Sequence, residues 1–583
     1  MKRGKFKWLL VIFAFAIAPV AASGQSNLDP GQLPKSTVFY LAWHGTPGGE
    51  VRKANSLWAL WDDADFAPVR AAMIEKMTHK SARPEKAGAP VTQEELARYV
   101  SLLDNEFVVG YMGNPNPAKN VGKPTSSQAN KWNGLFFVYD RTGKEATIAS
   151  LMMRGRMNEK DPPKISATTI AGISAIKEER KSGTSYWAED GKYAFGATEP
   201  IVFEQIVAWT KHATAEESSL AQTAGYREAS GILKGGLVEF YFHFPSLQEM
   251  NWDTSLFGFR MRPLVRSLKL EMVHSISGRV LLEGTRTRVQ GAILGETNPG
   301  SLFDIWDEGT TTPSSWQFIG SNTVSYQESR VNLPGIYGVV KRALQSAAGD
   351  GQQNPLDFME TAFTTRLGMP LPAALGVFSG EFAALQTSPV LDPTKQNYVI
   401  GIRKKTEALK LMHAGFAERL SAERSDGDTT FFKISEGGMA SAAGTASWKY
   451  YHAGMTPDLI VWSRSNATMR ETLASGKRTA GENTQVPPAW QAAREQFPRS
   501  INGLSLFDFQ KIDWAATKER WAVEPLNVSS SKNSAGNKAS TGPDAPASVL
   551  KGLDPKIFPR HLHLAASASW KDAHGMHFEG WIE

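Results

Sequence analysis

The segment LFFVYDRTGKEA, residues 135–146, contains the pattern that decides the fold. Its first half is a short apolar and aromatic run, which is typical of a β-strand, and a charged turn then leads into a helix. The segment NYVIGIRKKTEA, residues 397–408, aligns with it without a gap, and the two share an Arg, a Glu and an Ala at matching places. The alignment predicts that one strand–turn–helix unit occurs twice in this chain.

Other short matches occur on both sides of this pair and keep the same order along the chain. They pair 37–40 with 323–326, 105–107 with 380–382, 236–244 with 503–511, and 290–294 with 579–582. Because several ordered matches are hard to explain by chance, the sequence predicts an internal duplication. The expected boundaries are one module at 34–298, a linker at 299–317 and a second module at 318–583.

Each module is predicted to belong to the α+β class. Strands are expected at 107–112 and 135–139. Amphipathic helices are expected to begin at Pro200, with Phe203, Ile206 and Val207 on the apolar face, and at Pro334, with Ile336, Val339 and Val340. Strands that follow one another without a crossover helix close each module, at 268–276 and 289–294, and at 561–568 and 577–582. Such neighbours favour antiparallel pairing, so we expect an antiparallel or mixed sheet packed by amphipathic helices in each module.

Three sequence features, in their order along the chain, resemble a known group of sequences. Leu33-Pro34 is followed at once by a strand, a Glu-Phe strand comes later, and the segment SLAQTAGYREA begins at Ser219. In this order the chain resembles an uncharacterised family of exported bacterial proteins, labelled as a domain of unknown function. The resemblance implies export and a duplicated fold. It assigns no catalytic residues to this chain.

The first 24 residues are predicted to be a secretory signal peptide. Lys2, Arg3, Lys5 and Lys7 precede an apolar run and then small residues suited to cleavage. We therefore expect a periplasmic or extracellular protein with no transmembrane segment in the mature chain. The net charge of +6 falls to +2 without these four cations, which argues against a nucleic-acid partner. The chain has no cysteine, which excludes disulfides and thiolate metal sites.

A search for catalytic and metal motifs finds none that is complete. His561 and His563 are expected to share a strand face, but the nearby histidines do not converge on a metal site under the expected antiparallel pairing of the last two strands. Ser174 and Lys177 match a Ser-x-x-Lys motif that lacks its downstream partners. The acidic turn near Asp426 lacks the closing ligands of a calcium loop. We expect no metal and no cofactor.

The sequence does not state a function, and it favours a non-enzymatic binding or scaffold protein. The expected ligand is a protein, a glycan or an apolar molecule, and the alternative is an exported hydrolase whose site no motif reveals. Trp306 and Trp316, in the linker, are candidates for stacking on a ligand in a groove between the modules. Most of the 17 tryptophans are expected to pack in the core, and 527–548 is expected to be a disordered loop.

Overall fold

A computed structural model describes most of the chain. The described ranges are 28–71, 97–98, 100–113, 134–157, 162–180, 183–233, 235–245, 269–307, 314–348, 355–392, 395–435, 450–478, 486–523 and 553–583. The predicted signal peptide and the predicted loop at 527–548 lie outside these residues. In the described part, no helix combines the length and the apolar character needed to cross a membrane.

The chain divides into two compact units. The first contains the described residues up to 245 together with Val273–Gly295 and Glu583, and the second contains the described residues of Arg262–Met272 and of Glu296–Ile582. Each unit contains ten described strands.

In the first unit the strands form one antiparallel sheet. They are β1 (Thr37–His44), β2 (Glu106–Met112), β3 (Leu135–Asp140), β4 (Lys164–Ile170), β5 (Ile173–Arg180), β6 (Gly183–Asp190), β7 (Tyr193–Ala197), β8 (Val238–His243), β9 (Val273–Glu283) and β10 (Arg286–Gly295). Their order across the sheet is β4-β5-β6-β7-β3-β2-β1-β8-β9-β10. Strand β1 is therefore an interior strand, between β2 and β8.

Helices pack on both faces of this sheet. They are α1 (Gly49–Ala54), α2 (Ser56–Asp62), α3 (Glu145–Met157), α4 (Pro200–Thr210) and α5 (Ala224–Leu233). The main core joins Tyr40 and Val138 of the sheet to Phe203 of α4 and Leu233 of α5. The alternate residues of β1 face a smaller core on the other side of the sheet, in which Trp43 packs with Trp58 of α2. Each fully buried aromatic or aliphatic side chain stabilises the fold by about 1.5–3 kcal/mol.

In the second unit the strands again form one antiparallel sheet. They are β11 (Ser325–Arg330), β12 (Phe378–Gln386), β13 (Gln396–Ile402), β14 (Leu420–Asp426), β15 (Thr429–Ser435), β16 (Tyr450–Met455), β17 (Leu459–Ser463), β18 (Gly503–Asp508), β19 (Leu564–Asp572) and β20 (Gly575–Ile582). Their order is β14-β15-β16-β17-β13-β12-β11-β18-β19-β20. When the ten strands of each unit are numbered in chain order, the same strand numbers pair with each other in both units.

Two cores hold the second unit together. Its helices are α6 (Leu333–Ala348), α7 (Pro355–Leu367), α8 (Leu371–Leu375), α9 (Lys405–Phe416), α10 (Asn466–Arg478), α11 (Pro488–Glu495), α12 (Trp514–Val523) and α13 (Ile557–His561). One core joins Tyr326 and Val399 of the sheet to Leu473 of α10 and Trp490 of α11. The other joins Phe432 of β15 and its neighbours to Met412 of α9.

The α+β class is confirmed, and the pairing is antiparallel throughout both sheets. The helix from Pro200 is confirmed with its predicted apolar face buried. The helix near Pro334 forms as Leu333–Ala348, but the predicted face is wrong in part, because Val340 is 43% exposed. The first strand of each final pair starts later than predicted: β9 begins at Val273, and β19 begins at Leu564 because the chain before it forms the short helix α13. The second strands start earlier than predicted, β10 at Arg286 and β20 at Gly575.

Candidate ligand-binding cavity and buried acidic clusters

A cavity of about 490 Å³ opens at the ends of three interior strands of the second sheet. Asn397, near the start of β13, pairs with Leu385 near the end of β12 and with Ser463 at the end of β17. Because the neighbouring strands are antiparallel, the end of β12, the start of β13 and the end of β17 lie side by side. Helix α10 begins there too, directly after β17.

All the residues that line the cavity have polar or charged side chains. Its residues are Asn322, Thr387, Ser388, Lys395, Arg464, Ser465, Thr468 and Glu471. Two of these side chains are cationic, one is anionic and four carry hydroxyl groups. Such a lining offers charged and neutral hydrogen-bond donors to a ligand within one small volume.

Several of the lining side chains are held in place by neighbours. The Arg464 guanidinium donates to the Tyr451 hydroxyl at 3.0 Å and lies 5.1 Å from the centre of that ring. The Ser465 hydroxyl accepts from the Thr468 backbone N–H at 3.2 Å, so it caps the start of α10. Asn322 donates to the Glu471 carboxylate at 3.4 Å. The cavity is thus partly organised before any ligand enters.

A buried acidic cluster lies elsewhere in the second unit. Glu381 accepts from the Ser314 hydroxyl at 2.7 Å and from the Ser315 backbone N–H at 2.9 Å. The Ser315 hydroxyl bonds the Tyr326 hydroxyl at 2.9 Å, and Tyr326 donates to Glu328 at 2.5 Å. The two glutamates are therefore joined through one serine and one tyrosine, and all four residues are buried.

Burial changes the protonation of this cluster. It raises the pKa of Glu328 from 4.5 to about 7; the hydrogen bond from Tyr326 opposes the rise, and the charge of Glu381 adds to it. The positive charges of Arg494 and Arg330 also oppose it. Burial, with the charge of Glu328, raises the pKa of Tyr326 well above its usual range. Glu328 is therefore a carboxyl group that titrates near neutral pH.

The first unit has a buried ionic cluster of its own. His44 at the end of β1 contacts the Glu106 carboxylate through Nδ1 at 3.2 Å and lies 3.9 Å from Glu239 through Nε2. Burial by itself would lower the pKa of His44, but hydrogen bonds and charges from the two glutamates outweigh it and raise the pKa to about 9. The backbone N–H groups of Leu28 and Gly236 also donate to these carboxylates.

The two clusters occupy matching places in the two strand schemes. Glu106 pairs with His44, the last residue of β1, and Glu381 pairs with Arg330, the last residue of β11. Tyr40 and Tyr326, four residues earlier in those strands, are both buried. Both glutamates bond to groups of their own unit, and neither lines the cavity described above.

The structure places the predicted ligand contacts Trp306 and Trp316 in the second unit. Leu302–Ile305 forms a short 3₁₀ helix in which Phe303 is fully buried, and Trp306 then pairs with Val331 through a backbone bridge. Trp316 packs on the core and makes a T-shaped, edge-to-face contact with Tyr326, at 5.5 Å between ring centres. Both rings are half-buried. Their role in stacking on a ligand stays a prediction.

The expected shared strand face of His561 and His563 is wrong. His561 ends the helix α13, and His563 precedes the first residue of β19. His577 pairs with Trp570 across the final two strands. Across the described ranges no group of three or more His, Asp or Glu side chains is arranged to hold a metal ion.

The sequence pointed to Glu106 and Glu381 only as members of a repeated segment, and it gave no sign of the cavity. The matches at 105–107 and 380–382 contain Glu106 and Glu381, and a charged residue in an apolar strand was the available signal. No short motif joins the cavity residues, because they come from four separate stretches of the chain.

The core prediction for the tryptophans is confirmed at several positions. The buried ones in the described part include Trp43, Trp58, Trp209, Trp490 and Trp581.

Comparisons of the whole chain with protein-family models, with curated proteins and with solved structures found no match.

Proposed function

We propose that this chain is an exported, non-enzymatic binding protein built from two diverged copies of one α+β module. In this proposal the second copy holds a small polar ligand in the cavity between the ends of β12 and β17 and the start of α10. The cavity carries the proposal, because its volume of about 490 Å³ lies within the range of small-molecule sites. The charged side chains of the lining argue against the expected apolar ligand, and the small volume argues against a protein or a long glycan.

The duplication is supported by the strand scheme and by particular residues. Ten strands pair in the same order in each unit, and the corresponding interior strands β1 and β11 both carry a buried tyrosine four residues before their end. The predicted signal peptide at 1–24 and the resemblance to exported bacterial proteins support the proposed location.

Binding without turnover is supported by where the titratable groups lie. Among the described His, Asp and Glu residues, those with raised pKa values, His44 and Glu328, belong to the internal clusters and do not line the cavity. Within the lining, the Ser465 hydroxyl accepts a backbone hydrogen bond at the start of α10. An enzyme needs its acid, base or nucleophile within reach of a bound substrate.

The test is a thermal-shift screen of the mature chain against small polar compounds, with native mass spectrometry of the freshly purified protein. A ligand present at 100 times its Kd stabilises the folded state by about 2.7 kcal/mol, which is easily measured. We expect at least one compound to raise the Tm of the wild type and not that of Ser388→Trp, whose side chain fills the cavity. The matched control is Ser425→Trp on the exposed strand β14, which should respond as the wild type does.

Equal responses from all three proteins would reject the cavity as the binding site.

A second candidate, an exported hydrolase, is favoured by one observation. Glu328 has a pKa raised to about 7, in the range that a general acid needs at neutral pH, and the Tyr326 hydroxyl holds its carboxyl group at 2.5 Å. Chromogenic esters, phosphate esters and glycosides provide the assay. Hydrolysis by the wild type that is abolished in a folded Glu328→Gln variant would replace the binding proposal with this one.

A further inference from the structure

The cavity contains more positive than negative charge, and this bears on its ligand. Lys395 and Arg464 line it together with a single carboxylate, that of Glu471. Asn322 donates a hydrogen bond to Glu471, so part of the hydrogen-bonding capacity of that carboxylate is already used. An entering group therefore meets two cations and one partly engaged anion.

The two cations are placed differently, and the difference suits recognition of an oxygen anion. Arg464 is oriented by Tyr451, which it contacts through both a hydrogen bond and the ring face. Lys395 is exposed at the start of β13, where a flexible side chain can follow a ligand. A planar guanidinium and a mobile ammonium are the usual pair for binding carboxylate or phosphate oxygens.

Hydroxyl groups complete the set of donors. Thr387 and Ser388 follow β12, and Thr468 lies in the first turn of α10. Neutral donors of this kind bind the remaining oxygens of an anion or the hydroxyl groups of its carbon skeleton. The lining has no large apolar side chain to hold a hydrophobic ligand.

From this arrangement we infer that the ligand of the cavity is a small organic anion, and that Lys395 and Arg464 bind its carboxylate or phosphate group. The inference rests on the proposed binding function and deepens it by naming the ligand class. It applies to the second unit, since the cavity residues all belong to it.

The test measures binding of three probes to the mature chain by isothermal titration calorimetry: succinate, inorganic phosphate and neutral glucose. We expect at least one of the two anions to bind and glucose not to bind. Lys395→Met should weaken binding of that anion by 10-fold or more, because it removes a charge-assisted contact. Lys410→Met, which removes an exposed lysine on α9, is the control and should leave the affinity unchanged. Raising NaCl from 50 to 500 mM should also weaken binding, through screening.

The probes also separate carboxylate from phosphate as the recognised group. Binding of neither anion, or binding that Lys395→Met leaves unchanged, would overturn the inference. If a neutral compound from the thermal-shift screen then binds and Ser388→Trp abolishes that binding, the cavity is a ligand site and only its charge preference was misjudged. If Ser388→Trp abolishes nothing, the proposed function fails as well.

Discussion

The ionic cluster of the first unit predicts that the stability of the protein falls as the pH rises above neutrality. His44 has a pKa of about 9 in the folded chain, against 6.5 for an unperturbed histidine. Because the folded pKa is raised, the protonated histidine stabilises the fold fully below pH 6.5, and this contribution is lost as the pH passes 9. Each pKa unit is worth about 1.4 kcal/mol, so the loss amounts to about 3 kcal/mol.

The perturbation that isolates this contribution is His44→Gln. Glutamine can still donate a hydrogen bond to Glu106, but it carries no titratable proton. Wild type and variant share every other titrating group, so the difference between their free energies of unfolding reports on the histidine. We expect the wild type to be more stable at pH 6, and the difference to shrink by about 3 kcal/mol at pH 10.

The assay is urea unfolding followed by tryptophan fluorescence, to which Trp43, next to His44 in β1, contributes. NMR supplies an independent reading, because the ring signals that disappear in the variant identify His44 among the 11 histidines. A stability difference that is the same at pH 6 and pH 10 would refute the reasoning. So would a His44 signal that titrates at or below pH 6.5.

Two further predictions concern the second unit. Glu328→Gln resembles the protonated carboxyl, and because the folded pKa of Glu328 is raised to about 7, the variant should exceed the wild type in stability by about 1–3 kcal/mol at pH 8.5 and match it at pH 4; thermal unfolding at both pH values checks this, and an advantage at pH 4 would count against it. Gly380→Ala should cost more than about 2 kcal/mol in urea unfolding, because φ is +87° and a Cβ would lie 2.0 Å from the Val331 carbonyl oxygen. Gly427→Ala, with φ of +56° and open space around it, should cost about 1 kcal/mol, and equal losses would contradict the steric argument.

The internal matches anticipated the strands better than they anticipated the register. Val108 and Ala383 each lie two residues after the corresponding glutamates, Glu106 and Glu381. Their partners on the next strand, Val138 and Val399, therefore hold the same place in the two ladders. The ungapped alignment instead matches Val138 with Ile400 and is one residue out. Since side chains alternate along a strand, a slip of one residue exchanges the two faces of the sheet.

Burial shows the consequence of that slip. The alignment matches Phe136, which is 4% exposed in the core, with Tyr398, which is 43% exposed. Near the C-terminus, Val289 and Phe578 occupy corresponding positions opposite Val280 and Ser569. The ladders therefore place 290–293 with 579–582, within the predicted pair of segments 290–294 and 579–582, whose unequal lengths left the register open. Short matches can therefore indicate a related strand without giving the correct pairing of its residues.

The sequence by itself determined the local elements and the α+β class. Apolar alternation produced strands such as β2 and β3, and Pro200 with its apolar face produced α4, because these patterns act between residues close together in the chain. Only the tertiary structure decided the sites. His44 meets Glu239, and Asn322 shares a cavity with Glu471, because strand order and register bring distant segments together. No local pattern sets those distances, and the shifted pKa values of the clusters depend on the burial that the same packing creates.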